Sequence, residues 1–143
     1  MQPKFRTVGE ITITNTLSAT EDSTASAVAM KLLLTSFQVI PVLDHSGKVI
    51  GNVTEMDLLK ALKTVKDLRA VRVSEIMSTA PPVVASEIPL EQAIGIIDAN
   101  RLTQLPVMKN GRFIGSVTRN DLLRAWLGVW VYHERGSCTE VIG

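Results

Sequence analysis

Apolar and polar positions recur along this chain in two rhythms. Ala25, Val28, Ala29 and Leu32 fall at i, i+3, i+4 and i+7, the spacing that lines one face of an α-helix. This predicts a helix over 24–36 with Ser23 as its N-cap. A short extended segment, 17–20, precedes it. Two runs rich in β-branched residues follow, 39–43 and 49–54, joined by a Gly-containing turn, which is a hairpin signal. A helix over 55–65 closes the set. The same succession then returns: a strand at 83–85, a helix from Pro89 to 100, strands at 104–108 and 113–118, and a helix over 119–126. Pro89 suits a first helical position, where its missing N–H is not needed. Asn110-Gly111 is the preferred sequence of a two-residue type I′ turn. The order β-α-β-β-α therefore occurs twice. Each hairpin needs an antiparallel pair, so the fold class is α+β rather than doubly wound.

The recurrence is also literal. Residues 47–61 read GKVIGNVTEMDLLKA and residues 111–125 read GRFIGSVTRNDLLRA, with nine of 15 positions identical at an offset of 64. Upstream, QVIPVLD (38–44) matches TQLPVMK (103–109), and VGEI (8–11) matches VSEI (73–76), both at 65. The one-residue difference falls in the hairpin turn, where insertions are tolerated. The chain is two copies of one unit, divided at 1–66 and 67–143, the second part including the linker and a C-terminal tail.

Composition narrows the function classes. The 143 residues are 45% hydrophobic and 20% charged, with a net charge of +1. That balance argues against disorder and gives no bulk attraction to nucleic acid or membranes. The single cysteine, Cys138, excludes an internal disulfide and a multi-cysteine metal site. The longest apolar run, 125–132, has eight residues, against about 20 for a membrane-spanning helix. With no signal-peptide pattern at the N-terminus, a soluble, cytoplasmic protein is expected.

The doubled order, with Ile40-Pro41-Val42 and Leu105-Pro106-Val107 each followed by Gly, an I-G-x-V-T strand and an Asp three residues on, resembles the tandem CBS (cystathionine-β-synthase) domain pair, or Bateman module. The likeness covers about 8–127. It implies two CBS repeats packed with pseudo-twofold symmetry, and an adenosine-containing ligand (AMP, ADP, ATP, S-adenosylmethionine or NADH) in the cleft between them.

Thr54 with Asp57 and Thr118 with Asp121 sit where a strand meets a helix. They read either as capping boxes, worth about 1 kcal/mol, or as a ligand site, since a helix N-terminus suits a phosphate. The resemblance implies that the Asp side chains bind ribose and the Thr side chains ribose or phosphate. Gly51 and Gly115 mark either close backbone packing or room for a ligand. The resemblance also implies that the backbone at Ile40 and Leu105 contacts adenine, with Thr16-Leu17 and Pro81-Pro82-Val83 as the other wall. The copies differ in charge: Arg119 and Arg101 in copy 2 stand where copy 1 has Glu55 and Ser36. Guanidinium groups suit phosphate, so the Thr118–Asp121 site is expected to be the better nucleotide site.

Lys60, Lys63, Lys66, Arg69 and Arg72 place cations at steps of three, with Asp67 among them. They form a solvated face or a contact for an acidic partner or nucleic acid; no aromatic lies among them for base stacking. Trp126, Trp130 and Tyr132 either close the core of copy 2 or make an oligomer contact. His45 and His133 lack the spacing of a metal pair, so no catalytic residue, metal or required cofactor is expected. The expectation is a non-catalytic sensor, a homodimer by resemblance, acting through an effector protein because no effector domain is attached. A scaffold with degenerate sites and nucleic-acid binding through the basic linker are the competing readings.

Overall fold

A computed structural model describes residues 6–11, 13, 15–64, 67–131 and 139–141, with backbone alone for 129–131 and 139–141. Lys66, Tyr132, His133 and Cys138 lie outside the described residues, as does the side chain of Trp130.

Repeat 1 runs β1 (Ala19–Thr20), α1 (Ala25–Leu33), β2 (Val39–Leu43), β3 (Val49–Thr54) and α2 (Glu55–Thr64). A short strand β4 (Ser78–Thr79) follows in the linker. Repeat 2 runs β5 (Val84–Ala85), α3 (Leu90–Asn100), β6 (Gln104–Lys109), β7 (Arg112–Thr118) and α4 (Arg119–Leu127). The tail adds an antiparallel pair, β8 (Val129–Val131) with β9 (Thr139–Val141).

Sheet 1 has the order β1-β2-β3-β4, parallel at β1/β2 and antiparallel elsewhere. Sheet 2 has the order β5-β6-β7 with the same senses. Both hairpins shift register at one place, between Val42 and Leu43 and between Val107 and Met108. These are matching positions, so the repeat extends to its irregularities.

Local chemistry sets the boundaries. Thr24, not Ser23, caps α1: its Oγ1 accepts from Ala27 N at 3.1 Å, while Ser23 Oγ accepts from Thr20 N. The helix stops at Leu33 rather than 36. The Thr35 hydroxyl donates to the Lys31 carbonyl at 2.9 Å, a side-chain bond that competes with the next helical turn. Pro89 is the N-cap of α3 rather than its first residue. Its ψ of 151° is extended, and its carbonyl accepts from Gln92 N and Ala93 N. Asn110 and Gly111 both have positive φ, 52° and 76°, as a type I′ turn requires.

Two cores result. Val28 and Leu32 of α1 pack on Ile40, Val42 and Val53 of sheet 1 and on Leu58 of α2. Leu90, Ala93 and Ile97 of α3 pack on Leu105, Val107 and Val117 of sheet 2 and on Leu122 and Ala125 of α4. Trp126 is half-buried against this second core. The segments preceding each repeat are exchanged. Val8 and Ile11 belong to the core of repeat 2, whereas Val71 and Val73 belong to that of repeat 1. Two of the hydrogen bonds that fix these segments recur at matching positions. Val8 N donates to Ile88 O and Leu90 N to Arg6 O; at an offset of 65, Val73 N donates to Ser23 O and Ala25 N to Val71 O.

Candidate ligand site between the repeats

In both copies a β-strand runs directly into a helix, leaving amide groups unpaired at the turn. Both copies satisfy them with a reciprocal capping box. Asp57 Oδ2 accepts from Thr54 N at 2.9 Å and Thr54 Oγ1 from Asp57 N at 3.3 Å. In repeat 2 the corresponding distances, Asp121 to Thr118 N and Thr118 to Asp121 N, are 2.9 and 3.1 Å. Each box engages one carboxylate oxygen, Oδ2. The other oxygen of each half-buried carboxylate is left to accept from a partner.

The two caps lie at the same end of the seam. Thr54 pairs with Val39 across sheet 1 and Thr118 with Gln104 across sheet 2. Gln104 Nε2 donates to Val39 O at 3.2 Å, and Gln104 Oε1 accepts from Asn15 Nδ2 at 3.3 Å. Asn15 is itself fixed. Its carbonyl accepts from Ser116 N at 2.8 Å and its Oδ1 from Leu17 N at 3.2 Å. Asn15 and Gln104 are 2% and 7% exposed, so this amide pair is a desolvated link between the repeats. Ser116 Oγ, fully buried, is the one buried side-chain polar atom without a partner among the described residues.

A cavity of about 370 Å³ opens on the repeat 1 side, lined by Asn15, Thr16, Leu17, Ser18, Lys31 and Phe37. Phe37 lies two residues before Val39, so cavity and Thr54–Asp57 cap share one end of sheet 1. Lys31 Nζ donates to Ser18 O at 2.7 Å, which holds the cation at the cavity wall. The cavity brings together Thr16 and Leu17 of the expected residues; Thr54 and Asp57 are not in its lining.

Other expected residues have different surroundings. The side chains of Ile40 and Leu105 are fully buried in the two cores, leaving only their backbone to a ligand. Pro82 and Val83 are exposed on repeat 2. Gly51 and Gly115 do not leave room for a ligand. A Cβ on Gly51 would stand 2.7 Å from Ser78 O, and one on Gly115 would collide with Ile13; the reading of close backbone packing holds at both. Arg101 and Arg119 are both exposed. Arg101 is the exposed left-handed C-cap of α3. Arg119 Nε donates to Leu102 O at 2.6 Å, and the residue lines an apolar groove with Ile94, Ile97, Leu122, Leu123 and Trp126. That groove lies between α3 and α4, so Arg119 is engaged on the helical face.

In the linker, α2 ends at Thr64 and a 3-10 turn spans Leu68–Ala70. The evenly spaced cations therefore do not share one helical face. Arg69 is paired with Asp67 at 3.1 Å. That bond holds the Asp67 carboxyl below its usual range and raises the Arg69 guanidinium.

Sequence reasoning missed Lys31, Phe37, Asn15 and Gln104. Two signals were available. Lys31 is the one polar residue in the run VAMKLLL, and Gln104 stands where the first copy has Val39.

Two α+β units with matching registers, joined by a polar seam at their capped helix starts, define a tandem-repeat module. The CBS domain family model matches twice, over residues 8–64 and 73–128. The chain belongs to the CBS domain family. It is 32% identical over 113 residues to a CBS domain-containing protein of Dictyostelium discoideum, an alignment covering 71% of this chain and 78% of that one. It is 35% identical over 85 residues to the arabinose 5-phosphate isomerase KdsD of Pseudomonas aeruginosa, covering 59% of this chain but only 26% of the isomerase. Among solved structures, CBSX2 in complex with AMP aligns at a TM-score of 0.72 and 26% identity, covering 87% of this chain and 98% of that one. The cytosolic domain of the Mg2+ channel MgtE in complex with ATP aligns at 0.64 and 28% identity, covering 75% and 43%. The tandem α+β architecture expected from the repeat is thus the observed one. Among the described residues, no helix is long and apolar enough to cross a membrane.

Proposed function

We propose that this chain is a regulatory module that takes an adenosine-containing ligand at the seam between its repeats, in the cavity of repeat 1. The observation that carries the reading is that cavity, at the end of sheet 1 where the Thr54–Asp57 cap stands. Its volume, about 370 Å³, falls within the ~300–1,000 Å³ range of small-molecule sites. Phe37 offers an apolar ring for a base, Lys31 a cation for a phosphate, and Asp57 a carboxylate oxygen for ribose hydroxyls. AMP and ATP in the CBSX2 and MgtE structures support an adenine nucleotide. This reverses the order expected from Arg101 and Arg119. A ligand there lies against Asn15, which bonds to Gln104 of the other repeat, and acts by binding one arrangement of the repeats better than another. The chain's own role is non-catalytic.

A second copy is the proposed partner for the helical face. Met30 and Leu33 of α1 and its C-cap Leu34, Met56, Leu59 and Leu62 of α2, and Leu123 and Leu127 of α4 are all 40% or more exposed. Light scattering of Leu34→Glu against the parent tests it: loss of dimer mass is expected, and an unchanged mass overturns it. An effector protein would read the change.

Thermal denaturation with AMP, ADP, ATP, S-adenosylmethionine and NADH tests the ligand. At 100 times its dissociation constant, a ligand stabilises by about 2.7 kcal/mol, or roughly 5–11 °C at this size. Lys31→Met and Asp57→Ala should each reduce the shift more than Asp121→Ala. The opposite order returns the site to repeat 2. No shift with any of the five favours the scaffold reading.

A further inference from the structure

The opposite end of sheet 1 carries a different chemistry. Glu21 and Asp22 lie in the β1–α1 connection, and His45 lies in the β2–β3 turn. His45 Nε2 stands 3.2 Å from Glu21 Oε1 and 3.7 Å from Asp22 Oδ2. The ligand atoms of all three fall within 4.8 Å of one another. A tetrahedral zinc ion with bonds of about 2.0–2.2 Å sets neighbouring ligand atoms roughly 3.4 Å apart, so the three side chains already have nearly the spacing an ion requires.

The backbone beneath them is fixed. Thr20 pairs with Leu43, and Glu21 N donates to Leu43 O at 3.1 Å. Asp44 Oδ1 accepts from Ser46 N, Ser46 Oγ and Lys48 N at 2.8, 2.6 and 3.0 Å, which braces the turn that carries His45. His45 is 78% exposed, so the open side admits an ion and the waters that complete its shell. Repeat 2 has no equivalent: Ser86-Glu87 replaces Glu21-Asp22, and its turn, Lys109-Asn110-Gly111, is one residue shorter and lacks histidine.

We propose that Glu21, Asp22 and His45 form a binding site for a divalent transition-metal ion. The imidazole selects zinc, cobalt or nickel over magnesium or calcium, which prefer all-oxygen shells. The ion joins two loops of repeat 1. It also acts on the seam, because Gly47 of the same turn accepts from Phe113 N of repeat 2 at 2.9 Å. The proposal is independent of the nucleotide reading.

The test uses the untagged full chain stripped with chelator. Cobalt(II) titration should give saturable visible d–d bands, and zinc should raise the melting temperature by several degrees. His45→Ala should weaken cobalt binding at least tenfold, since even outer-shell changes cost 10–100-fold. Glu21→Gln and Asp22→Asn should weaken it in the same direction, while His133→Ala should leave it unchanged. Glu21, Asp22 and His45 lie outside both cores, so these changes remove no core contact. No cobalt bands and no zinc-dependent shift at millimolar ion would show a histidine–carboxylate ion pair only. Unaltered binding in His45→Ala would place the metal elsewhere. Either result overturns the proposal.

Discussion

Replacing Gln104 with alanine should loosen the seam by an amount the structure allows to be worked out. The side chain is 7% exposed and makes two hydrogen bonds, to Val39 O at 3.2 Å and from Asn15 Nδ2 at 3.3 Å. Its removal strands the Asn15 amide, which is 2% exposed, and takes one acceptor bond from the Val39 carbonyl. A buried polar group left unpaired costs about 1–3 kcal/mol. With the void left by the shortened side chain, the total is about 2–4 kcal/mol. At this chain length that lowers the melting temperature by roughly 4–16 °C. Gln104→Met keeps the volume and removes only the bonds, so its loss should be smaller. Urea denaturation of Gln104→Ala, Asn15→Ala and the double variant isolates the pair term, expected at about 0.5–1.5 kcal/mol. Additivity within about 0.5 kcal/mol would refute the amide link. A Gln104→Ala loss below that size would refute its part in holding the repeats together.

Three further outcomes follow from single sites. Gly115→Ala combines a φ of +140° with collision against Ile13, and should cost about 2–4 kcal/mol in chemical denaturation. Ser116→Ala should be neutral or stabilising by up to about 1 kcal/mol, because Oγ is buried without a partner; a loss larger than that in the same assay would reveal a hidden one. Asp44 is held below its usual range, chiefly by the Ser46 hydroxyl and then by the Lys48 amide. Its contribution is therefore present above the unfolded pKa, about 3.9, and is lost as pH falls through the lower folded value. The stability gap between the parent and Asp44→Asn should close over that acid range, and a gap constant with pH would contradict it.

The fold was legible where its signals are local. The i, i+3, i+4 stripe of α1, the Asn110-Gly111 turn and the Thr–x–x–Asp boxes each depend on residues within a turn of one another, and each took its expected form. The capped starts of α2 and α4 were legible for the same reason, whereas those of α1 and α3 fell one residue from the expected position. The rest depends on contacts distant in the chain. Gly51 faces Met77 and Ser78, and Gly115 faces Ile13, so whether the missing Cβ makes space or fills it is decided by segments far along the sequence. Arg119 shows the same limit: its number of charges is local information, but its direction is set by the Leu102 carbonyl. The strands β4, β8 and β9 have two or three residues each, too few for any alternation to show.

The symmetric exchange of leading segments has a consequence for the order in which the chain acquires its structure. Arg6 and Val8 emerge from a ribosome well before Ile88 and Leu90, the residues that bond to them. The segment ahead of repeat 1 thus waits through the whole of that repeat for its docking surface. Repeat 1 meets its own missing piece, Val71 and Val73, almost at once. One half can condense during synthesis, while the other closes last and draws the segment of Arg6, Val8 and Ile11 back to it. Such long-range closure is slow, and it ties the two halves into one cooperative unit that cannot be severed at the midpoint without leaving each half short of a segment.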